Sequence, residues 1–238
     1  MPLHESESII LKTYPLAEAD RIIVFFSREF GKLRGVANGV RKPGSRFGAS
    51  LEPLARSRVR FFRKEAADLV RIRSTDLIDS PMKLFEDYDR ALMAAHVAEL
   101  VDRFLPEHEV QDPVFRLFSL VRTQLATGCP EEIARCYFEV WMLRLAGVLP
   151  DLFTCALCRR RLEVTDERVL LSGLNRTACP TCSRHDGTEV PIGTVEVLGW
   201  ILSTALASEV PAFSDNGASG FEHLRQLNKI WIERYFER

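Results

Sequence analysis

The first 80 residues alternate between short apolar runs and polar turns, which is the pattern of a small all-β domain. Runs rich in β-branched and aromatic residues predict five strands, at residues 8–14, 21–26, 31–37, 54–63 and 69–73. In the last two runs arginine alternates with apolar residues, and side chains two positions apart lie on the same face of a strand. Five short strands with a basic insertion between the third and the fourth predict a five-stranded OB-fold barrel.

The period of the apolar positions becomes helical after residue 80. Helices are predicted at residues 81–105, 112–127 and 130–146, then near 192–208 and 219–236, the last two separated by a loop over 211–220. A cysteine-containing segment at 152–186 interrupts this pattern. The predicted fold is therefore α+β, with an OB-fold nucleic-acid-binding domain at residues 1–80 and an all-helical domain at 81–238 that carries a zinc module.

The formal net charge of -1 hides a strong asymmetry along the chain. Residues 1–80 hold 15 Lys and Arg against 10 Asp and Glu, a charge of +5, whereas residues 81–238 hold 17 against 23, a charge of -6. Within residues 31–64 there are 10 basic residues and one acidic residue, Glu52, which gives +9. Such a local excess is typical of a polyanion-binding site.

Two groups of cations in this region are candidate polyanion contacts. The glycine-rich stretch at 35–46 predicts a flexible basic loop, and the alternating arginines predict rows on the outer face of the barrel. The candidate residues are Lys32, Arg34, Arg41, Lys42, Arg46, Arg56, Arg58, Arg60, Arg71 and Arg73. A solvated turn with ordinary surface charge is the alternative. Phe47, Phe61 and Phe62 are candidate stacking partners for bases, with core packing as the alternative.

Four of the six cysteines form two C-x-x-C pairs separated by 20 residues, namely Cys155, Cys158, Cys179 and Cys182. This spacing predicts one structural Zn²⁺ with four thiolate ligands. A catalytic zinc of the deaminase type is disfavoured because no histidine has a glutamate two residues on, and four thiolates leave no position for a water. His185 is an alternative ligand to Cys182.

The remaining residues near these pairs have no assigned chemistry. Cys136 is predicted to be a small buried side chain, and Cys129 is assigned no role. Arg159, Arg160 and Arg161 are open to two interpretations, as phosphate contacts or as a solvated turn. No catalytic triad or acid-base pair is recognisable, so no catalytic residue and no enzyme activity are predicted.

Length and composition fit an ordinary globular protein, since 46% of the 238 residues are hydrophobic and 27% are charged. The N-terminus lacks the basic and apolar regions of a signal peptide, and no stretch reaches the roughly 18 to 20 apolar residues of a spanning helix. We therefore expect a cytoplasmic protein without membrane contact, in which paired cysteines bind metal rather than form disulfides.

Three segments together resemble one family, the bacterial recombination mediator RecO. The first is ESIILKTYPLAEADRIIVFFSREFGKLRGVANGVRKPGSRFGASLEPL, and the second is CYFEVWMLRLAGVLPDLFTCALC, which the pair in ACPTC completes. The resemblance covers nearly the whole chain in the right order and is weakest after about residue 187. It implies an N-terminal OB-fold, a helical C-terminal domain and, in many members, a four-cysteine zinc module.

The resemblance also implies a non-enzymatic role in DNA recombination and repair. RecO proteins bind single- and double-stranded DNA, anneal complementary strands, engage the C-terminal tail of single-strand-binding protein, and with RecR help to load RecA. The implied zinc ligands are Cys155, Cys158, Cys179 and Cys182, and the implied basic segment comprises Lys32, Arg34, Arg41, Lys42 and Arg46. A nucleoid-associated location follows from such a role. An RNA-binding zinc-ribbon factor and a zinc-dependent nucleic-acid enzyme are the alternative functions.

Overall fold

The computed structural model of the protein describes residues 2–42, 44–63, 68–171, 175–184, 187–206 and 217–237. They belong to two compact units, Met1–Glu131 and Glu132–Arg238. His185 and positions 211–216 of the predicted loop lie outside the described residues. Within the described ranges, the helices are all too short or too polar to cross a membrane.

The first unit begins with a closed five-stranded barrel. Its strands are β1 (Leu3–Pro15), β2 (Arg21–Ser27), β3 (Gly31–Ala37), β4 (Arg56–Phe62) and β5 (Leu69–Asp79), with a 3-10 helix at Gly48–Leu51 between β3 and β4. Around the barrel the order is β1-β2-β3-β5-β4, and β4 returns to β1. Strands β3 and β5 are parallel, and the other neighbouring pairs are antiparallel. This OB-like barrel confirms the predicted fold of the N-terminal region.

Alternation along the strands decides which face of the barrel is filled. Val59 and Phe61 of β4 and Val70 and Ile72 of β5 are buried in the barrel core together with Phe25 of β2. The arginines between them lie on the outer face, as their alternation predicts. Burying each such apolar side chain contributes roughly 1.5 to 3 kcal/mol, and a slip of one residue would turn arginine inward. The sequence pattern therefore determines which face of each strand is buried.

Three helices follow the barrel within the first unit, α1 (Met82–Phe85), α2 (Tyr88–Phe104) and α3 (Asp112–Ala126). The single helix predicted at 81–105 is in fact two, because Asp87 is extended and accepts a hydrogen bond from the N–H of Arg90 as the N-cap of α2. The ring of Phe115 in α3 meets that of Phe26 in β2 edge-on, with centroids 5.5 Å apart. The compact unit thus extends well past the barrel, and a domain boundary near residue 80 stays a prediction.

Asp102, near the end of α2, connects this helix to the barrel. Its carboxylate lies 3.0 Å from Lys12 Nζ and 3.1 Å from Lys32 Nζ, and Lys32 also donates a hydrogen bond to the Asp102 carbonyl. Burial opposes ionisation of Asp102, but hydrogen bonds from the two ammonium groups outweigh it and lower the pKa of this carboxyl. The hydrogen bond with Asp102 likewise raises the pKa of Lys12. These contacts favour the charged forms of Lys12 and Asp102.

The second unit contains helices and a small sheet. Its elements are α4 (Glu131–Leu145), β6 (Val169–Leu171), β7 (Arg176–Ala178), α5 (Pro180–Ser183), β8 (Thr188–Glu189), α6 (Ile192–Ser203) and α7 (Gly217–Phe236). The sheet has the order β7-β6-β8 and is antiparallel. Sequence analysis missed it, because two or three residues are too few to show a period. Helices α6 and α7 approach closely at Gly220, where a Cβ atom would overlap the carbonyl of Gly193.

Candidate metal centre and cationic barrel surface

The four cysteines of the two C-x-x-C pairs form one cluster. All four Sγ atoms lie within 4.8 Å of one another, and the Sγ atoms of Cys158 and Cys179 are 3.9 Å apart. A disulfide would bring two sulfurs to about 2.05 Å, whereas tetrahedral zinc with bonds of about 2.3 Å separates its sulfur ligands by roughly 3.8 Å. The spacing and the soft donor set therefore fit a four-thiolate metal site.

Backbone hydrogen bonds shape the first pair into a tight turn, the first knuckle. The N–H of Arg159 donates to the carbonyl of Cys155 at 2.9 Å, and the N–H of Cys155 donates to the carbonyl of Arg160 at the same distance. Arg159 has a φ of 63°, in the left-handed region that glycine occupies most easily. This turn brings Cys155 and Cys158 to the same side of the loop.

The second pair lies in the second knuckle, where β7 leads into α5. Cys179 is the N-cap of α5, and the N–H groups of Cys182 and Ser183 both donate to its carbonyl at 3.0 Å. The N–H of Cys179 also donates to the Sγ of Cys155 at 3.4 Å, which links the two knuckles directly. Arg184 then ends the helix with a φ of 51°.

Two of the four thiols, those of Cys155 and Cys182, have pKa values shifted in opposite directions. Burial disfavours the thiolate of Cys155, but N–H groups of Cys158, Cys179 and Leu157 that point at its sulfur lower its pKa to about 6. Hydrogen bonds with Cys179 and Cys158 raise the pKa of Cys182 to about 12. A cation with strong affinity for sulfur would be needed to hold Cys182 as a thiolate at neutral pH. The site therefore suits a tightly bound soft metal.

The other two cysteines lie apart from this cluster. Cys136 is fully buried in α4, where its Sγ lies 3.7 Å from the carbonyl oxygen of Phe221 and burial raises the pKa of its thiol. Cys129 is 1% exposed. The burial of Cys136 confirms the sequence interpretation of that residue as part of the core.

Five of the ten predicted DNA contacts already have carboxylate partners within the first unit. The ion pairs are Lys32–Asp102 (3.1 Å), Arg34–Glu107 (2.7 Å), Arg56–Glu7 (2.5 Å), Arg58–Glu5 (3.5 Å) and Arg60–Glu5 (2.5 Å), and Arg60 also pairs with Asp76 (2.9 Å). Lys32 is 7% exposed and therefore cannot reach a phosphate on the surface. The acidic partners reduce the positive potential that the sequence alone suggests for β4.

The carboxylates of Glu5, Glu7 and Asp76 were not among the predicted site residues, because they lie outside the basic segment at residues 31–64. Strand register brings them to the arginines: Glu5 is opposite Arg60 and Glu7 is opposite Arg58 between β1 and β4, and Asp76 is opposite Arg58 between β4 and β5. The alternation of β1 places Glu5 and Glu7 on one face, which was visible in the sequence. Their pairing with β4 was not, because it depends on how the barrel closes.

The other five predicted contacts are exposed and have no carboxylate partner among the described residues. Three of them, Arg41, Lys42 and Arg46, lie between β3 and β4, and we name them the loop cations. Lys42 and Arg46 border a shallow depression of about 420 Å³ with Asp20, whose carboxylate accepts a hydrogen bond from the N–H of Gly39. Arg71 and Arg73 are exposed on β5.

The three phenylalanines proposed for stacking differ in position. Phe47 and Phe61 are 2% and 0% exposed and pack in the barrel core, so the alternative interpretation is correct for both. Phe62 is partly exposed, and the guanidinium of Arg73 lies 5.9 Å from its ring centroid. Of the three, Phe62 alone stays a candidate for contact with a base.

A closed OB-like barrel, a following helical region and a four-cysteine cluster define a class of barrel proteins with a candidate metal module. Comparison with known families is specific: the model described as "Recombination protein O N terminal" matches residues 1–81, and "Recombination protein O C terminal" matches 85–235. The chain therefore belongs to the RecO family of DNA repair proteins.

Individual relatives agree with this assignment. The chain is 42% identical over 191 residues to the DNA repair protein RecO of Koribacter versatilis (strain Ellin345), covering 80% of this chain and 77% of the relative. It is 34% identical over 200 residues to RecO of Geobacter metallireducens, covering 84% and 80%. With RecO of Pelotomaculum thermopropionicum it shares 32% identity over 209 residues, covering 87% and 80%. The resemblance seen in the sequence is thereby confirmed.

Proposed function

We propose that the protein binds single- and double-stranded DNA without sequence preference, anneals complementary strands and assists RecA loading in the RecF pathway. Membership of the RecO family supports a role in DNA repair. The observation that carries the proposal is the exposure of the three loop cations, which have no described carboxylate partner. The proposed protein partners are RecR and the C-terminal tail of single-strand-binding protein, and the proposed location is the nucleoid.

The proposed contacts are fewer than the sequence suggested. The loop cations, together with Arg71 and Arg73 of the same unit, supply charge that no described carboxylate neutralises. Arg34, Arg56, Arg58 and Arg60 would first have to exchange a carboxylate for a phosphate, which weakens their net contribution. Lys32 is left out because it is buried.

The physical basis of binding is the release of counterions. A DNA strand carries condensed cations, and each protein cation that replaces them at a phosphate releases them to solution, which favours binding entropically. The contact does not depend on base identity. Two complementary strands on one cationic surface repel each other less, so base pairing can proceed without any bond being made or broken by the protein. No catalytic residue is needed.

The cysteine cluster would serve stability in this account. Cys155, Cys158, Cys179 and Cys182 are the proposed ligands of one structural Zn²⁺ per chain. When bound, the metal would supply a cross-link between the two knuckles, and four thiolates leave no coordination position for a substrate. We therefore propose no catalytic step at this centre.

The test removes the loop cations in the full-length protein. The variant Arg41→Gln/Lys42→Gln/Arg46→Gln is compared with Glu7→Gln/Arg56→Gln, which deletes one ion pair without changing the net charge. Affinity for an oligothymidine is measured by fluorescence anisotropy over a range of salt concentrations. Each phosphate contact on a single strand contributes about 0.7 to the slope of log affinity against log salt, so the triple variant should be flatter by about 2.

The control variant should keep the wild-type slope. An unchanged slope in the triple variant would contradict the assignment of the loop cations. RNA that competes more strongly than DNA of the same sequence would instead favour an RNA-binding zinc-ribbon factor. Turnover of nucleotides by the zinc-loaded protein would favour a zinc-dependent enzyme.

A further inference from the structure

Exposed arginines surround the cysteine cluster of the second unit. We name these side chains the knuckle arginines, and they are Arg159, Arg160, Arg161, Arg176 and Arg184. Arg159, Arg160 and Arg161 follow the first cysteine pair, Arg176 begins β7, and Arg184 follows the second pair. The proposed function uses none of them.

The fold brings these arginines close together although they span 26 positions of the sequence. The two knuckles meet at the cysteine cluster, whose sulfurs lie within 4.8 Å of one another. Arg176 Nη2 donates a hydrogen bond to the carbonyl of Ala156 at 3.1 Å, which places that guanidinium on the first knuckle. The N–H of Ala156 in turn donates to the carbonyl of Thr177 at 2.8 Å. The backbone positions of the five arginines therefore lie around one cysteine cluster.

The charge of this surface is poorly balanced within the described residues. Arg160 lies 3.8 Å from Asp166 in an exposed, weak ion pair, and the other four knuckle arginines have no described carboxylate partner. Four thiolates around one Zn²⁺ would carry a net charge of -2, which offsets part of the charge of the five arginines and leaves an excess of positive charge for an external anion. Arginine matches phosphate particularly well because its planar guanidinium can donate two parallel hydrogen bonds.

The backbone adds a second, independent observation. Arg159 and Arg184 have φ values of 63° and 51°, so arginine stands at two left-handed positions directly beside the cysteine pairs. Glycine adopts this conformation freely, whereas a residue with a Cβ atom does so at an energetic cost. Strained residues of this kind are concentrated at functional sites. The two arginines occupy positions where folding alone would favour glycine.

An exposed apolar side chain completes the surface. Leu157, at the tip of the first knuckle, is 52% exposed between Cys155 and Arg159 in the sequence. Nucleic-acid-binding surfaces combine cations for phosphates with apolar or aromatic groups against sugars and unstacked bases.

We propose that the knuckle arginines form a second phosphate-binding surface, which contacts the backbone of single-stranded DNA in addition to the loop cations. The inference rests on the proposed function, because it assumes that DNA is the ligand. Each compact unit then carries its own cationic surface, so one protein molecule has contacts for two strands. Two such surfaces would allow one protein molecule to hold both of the strands that annealing requires.

The test uses full-length protein and a variant that should fold. In Arg159→Gly/Arg161→Gln/Arg184→Gly, two charges are removed by glycine at left-handed positions, so the backbone is relieved rather than strained. Arg116→Gln/Arg144→Gln/Lys229→Gln removes the same charge from exposed helical positions as a matched control. Zinc content and the thermal midpoint are measured first, and both should equal those of the unchanged protein or exceed them.

Oligothymidine affinity is then titrated against salt. The knuckle variant should lose about 2 from the slope of log affinity against log salt, with roughly tenfold weaker binding near physiological salt, and the control should change little. A wild-type slope in the knuckle variant, with a flatter slope in the loop-cation variant, would overturn this inference and leave the proposed function standing. Wild-type slopes in the knuckle variant and in the loop-cation variant would overturn this inference and the proposed function together.

Two further results would also refute the second surface. An equal loss in the matched control would mean that net charge, not location, is responsible. Unchanged DNA titration together with lost binding of a polyglutamate peptide would mean that the surface binds an acidic protein segment instead of DNA.

Discussion

The guanidinium of Arg122 in α3 donates a hydrogen bond from Nε to the carbonyl of Leu54 at 2.6 Å, and so joins this helix to the loop before β4. Arg122 is 2% exposed, and its other nitrogens donate to the Asp79 carboxylate and to the carbonyls of Asp79 and Ser80 at the end of β5. Leu54 has a φ of 67°, in the left-handed region that residues other than glycine rarely adopt. One buried side chain therefore closes one end of the barrel against the helices of the first unit.

Arg122→Met should lower the free energy of unfolding by about 3 kcal/mol, because it leaves the buried carbonyl of Leu54 and the partly buried carbonyls of Asp79 and Ser80 without this donor. Asp79→Asn is the matched comparison, since the Asp79 side chain is 47% exposed and water can solvate it. That change should cost less than Arg122→Met, because it keeps the hydrogen bonds to the carbonyls and removes only the carboxylate partner of the guanidinium. Urea denaturation of both variants measures the difference. Equal losses would show that the ion pair, rather than the carbonyl contacts, carries the stability.

Asp102→Asn should produce a pH-dependent loss of stability. The lowered pKa of Asp102 means that its stabilisation is present above the ordinary carboxyl value of 3.8 and disappears as the pH falls toward its folded value. At neutral pH the variant should lose about 2 kcal/mol. The difference in the free energy of unfolding between wild type and the variant should stay constant down to about pH 5 and become smaller below it.

Urea midpoints measured across this pH range test the assignment, with Asp68→Asn as an exposed carboxyl control that should show little effect. A gap that widened on acidification would mean that the carboxylate is destabilised, not stabilised, by its surroundings. Lys12→Met should reproduce part of the Asp102→Asn effect, because Lys12 supplies one of the two ion pairs.

Cys155→Ser should release the proposed zinc and lower the thermal midpoint by roughly 5 to 10 °C, because the two knuckles lose their cross-link. Cys136→Ala is the matched control, since Cys136 is a buried cysteine outside the cluster and its loss should leave metal content intact. Metal analysis by mass spectrometry and differential scanning calorimetry provide the two measurements. Full stability with lost DNA affinity would assign the cysteines to DNA binding rather than to folding.

Glu5→Gln should strengthen DNA binding. Glu5 pairs with Arg58 and Arg60, and Arg60 keeps Asp76 as a partner when Glu5 is neutralised. Release of Arg58 should steepen the salt dependence on duplex DNA by about 0.9, the contribution of one phosphate contact. Glu86→Gln changes the net charge equally at an exposed position outside the barrel and should leave the slope unaltered. Identical slopes in the two variants would show that Glu5 does not mask Arg58.

Much of the fold was predictable because its information is local. The alternation around Val59 and Phe61 predicted both the strand and its buried face. The helix at 81–105 was predicted in type but not in continuity, since the break at Asp87 depends on a single N-cap hydrogen bond. The sheet formed by β6, β7 and β8 escaped prediction because strands this short are defined by their partners rather than by their own pattern.

The candidate site divides in the same way. The spacing of Cys155, Cys158, Cys179 and Cys182 predicted their clustering, because each C-x-x-C pair forms its own tight turn. The number of charged residues in the barrel could be predicted correctly, but which of them remain free of a carboxylate partner could not. Glu5 and Arg60 are 55 positions apart, and a charge window along the chain cannot see a pair that forms across two strands.

By itself, therefore, the order of residues determined the barrel, the helical region, the cysteine cluster and the family, since each depends on periodicity or short spacing. Only the tertiary structure decided that Lys32 is buried beneath Asp102, that Glu5 and Glu7 neutralise β4, and that the loop cations stay exposed. The physical reason is that electrostatic interactions depend on distance in space and on solvent access. Both are set when strands and helices distant in sequence pack together.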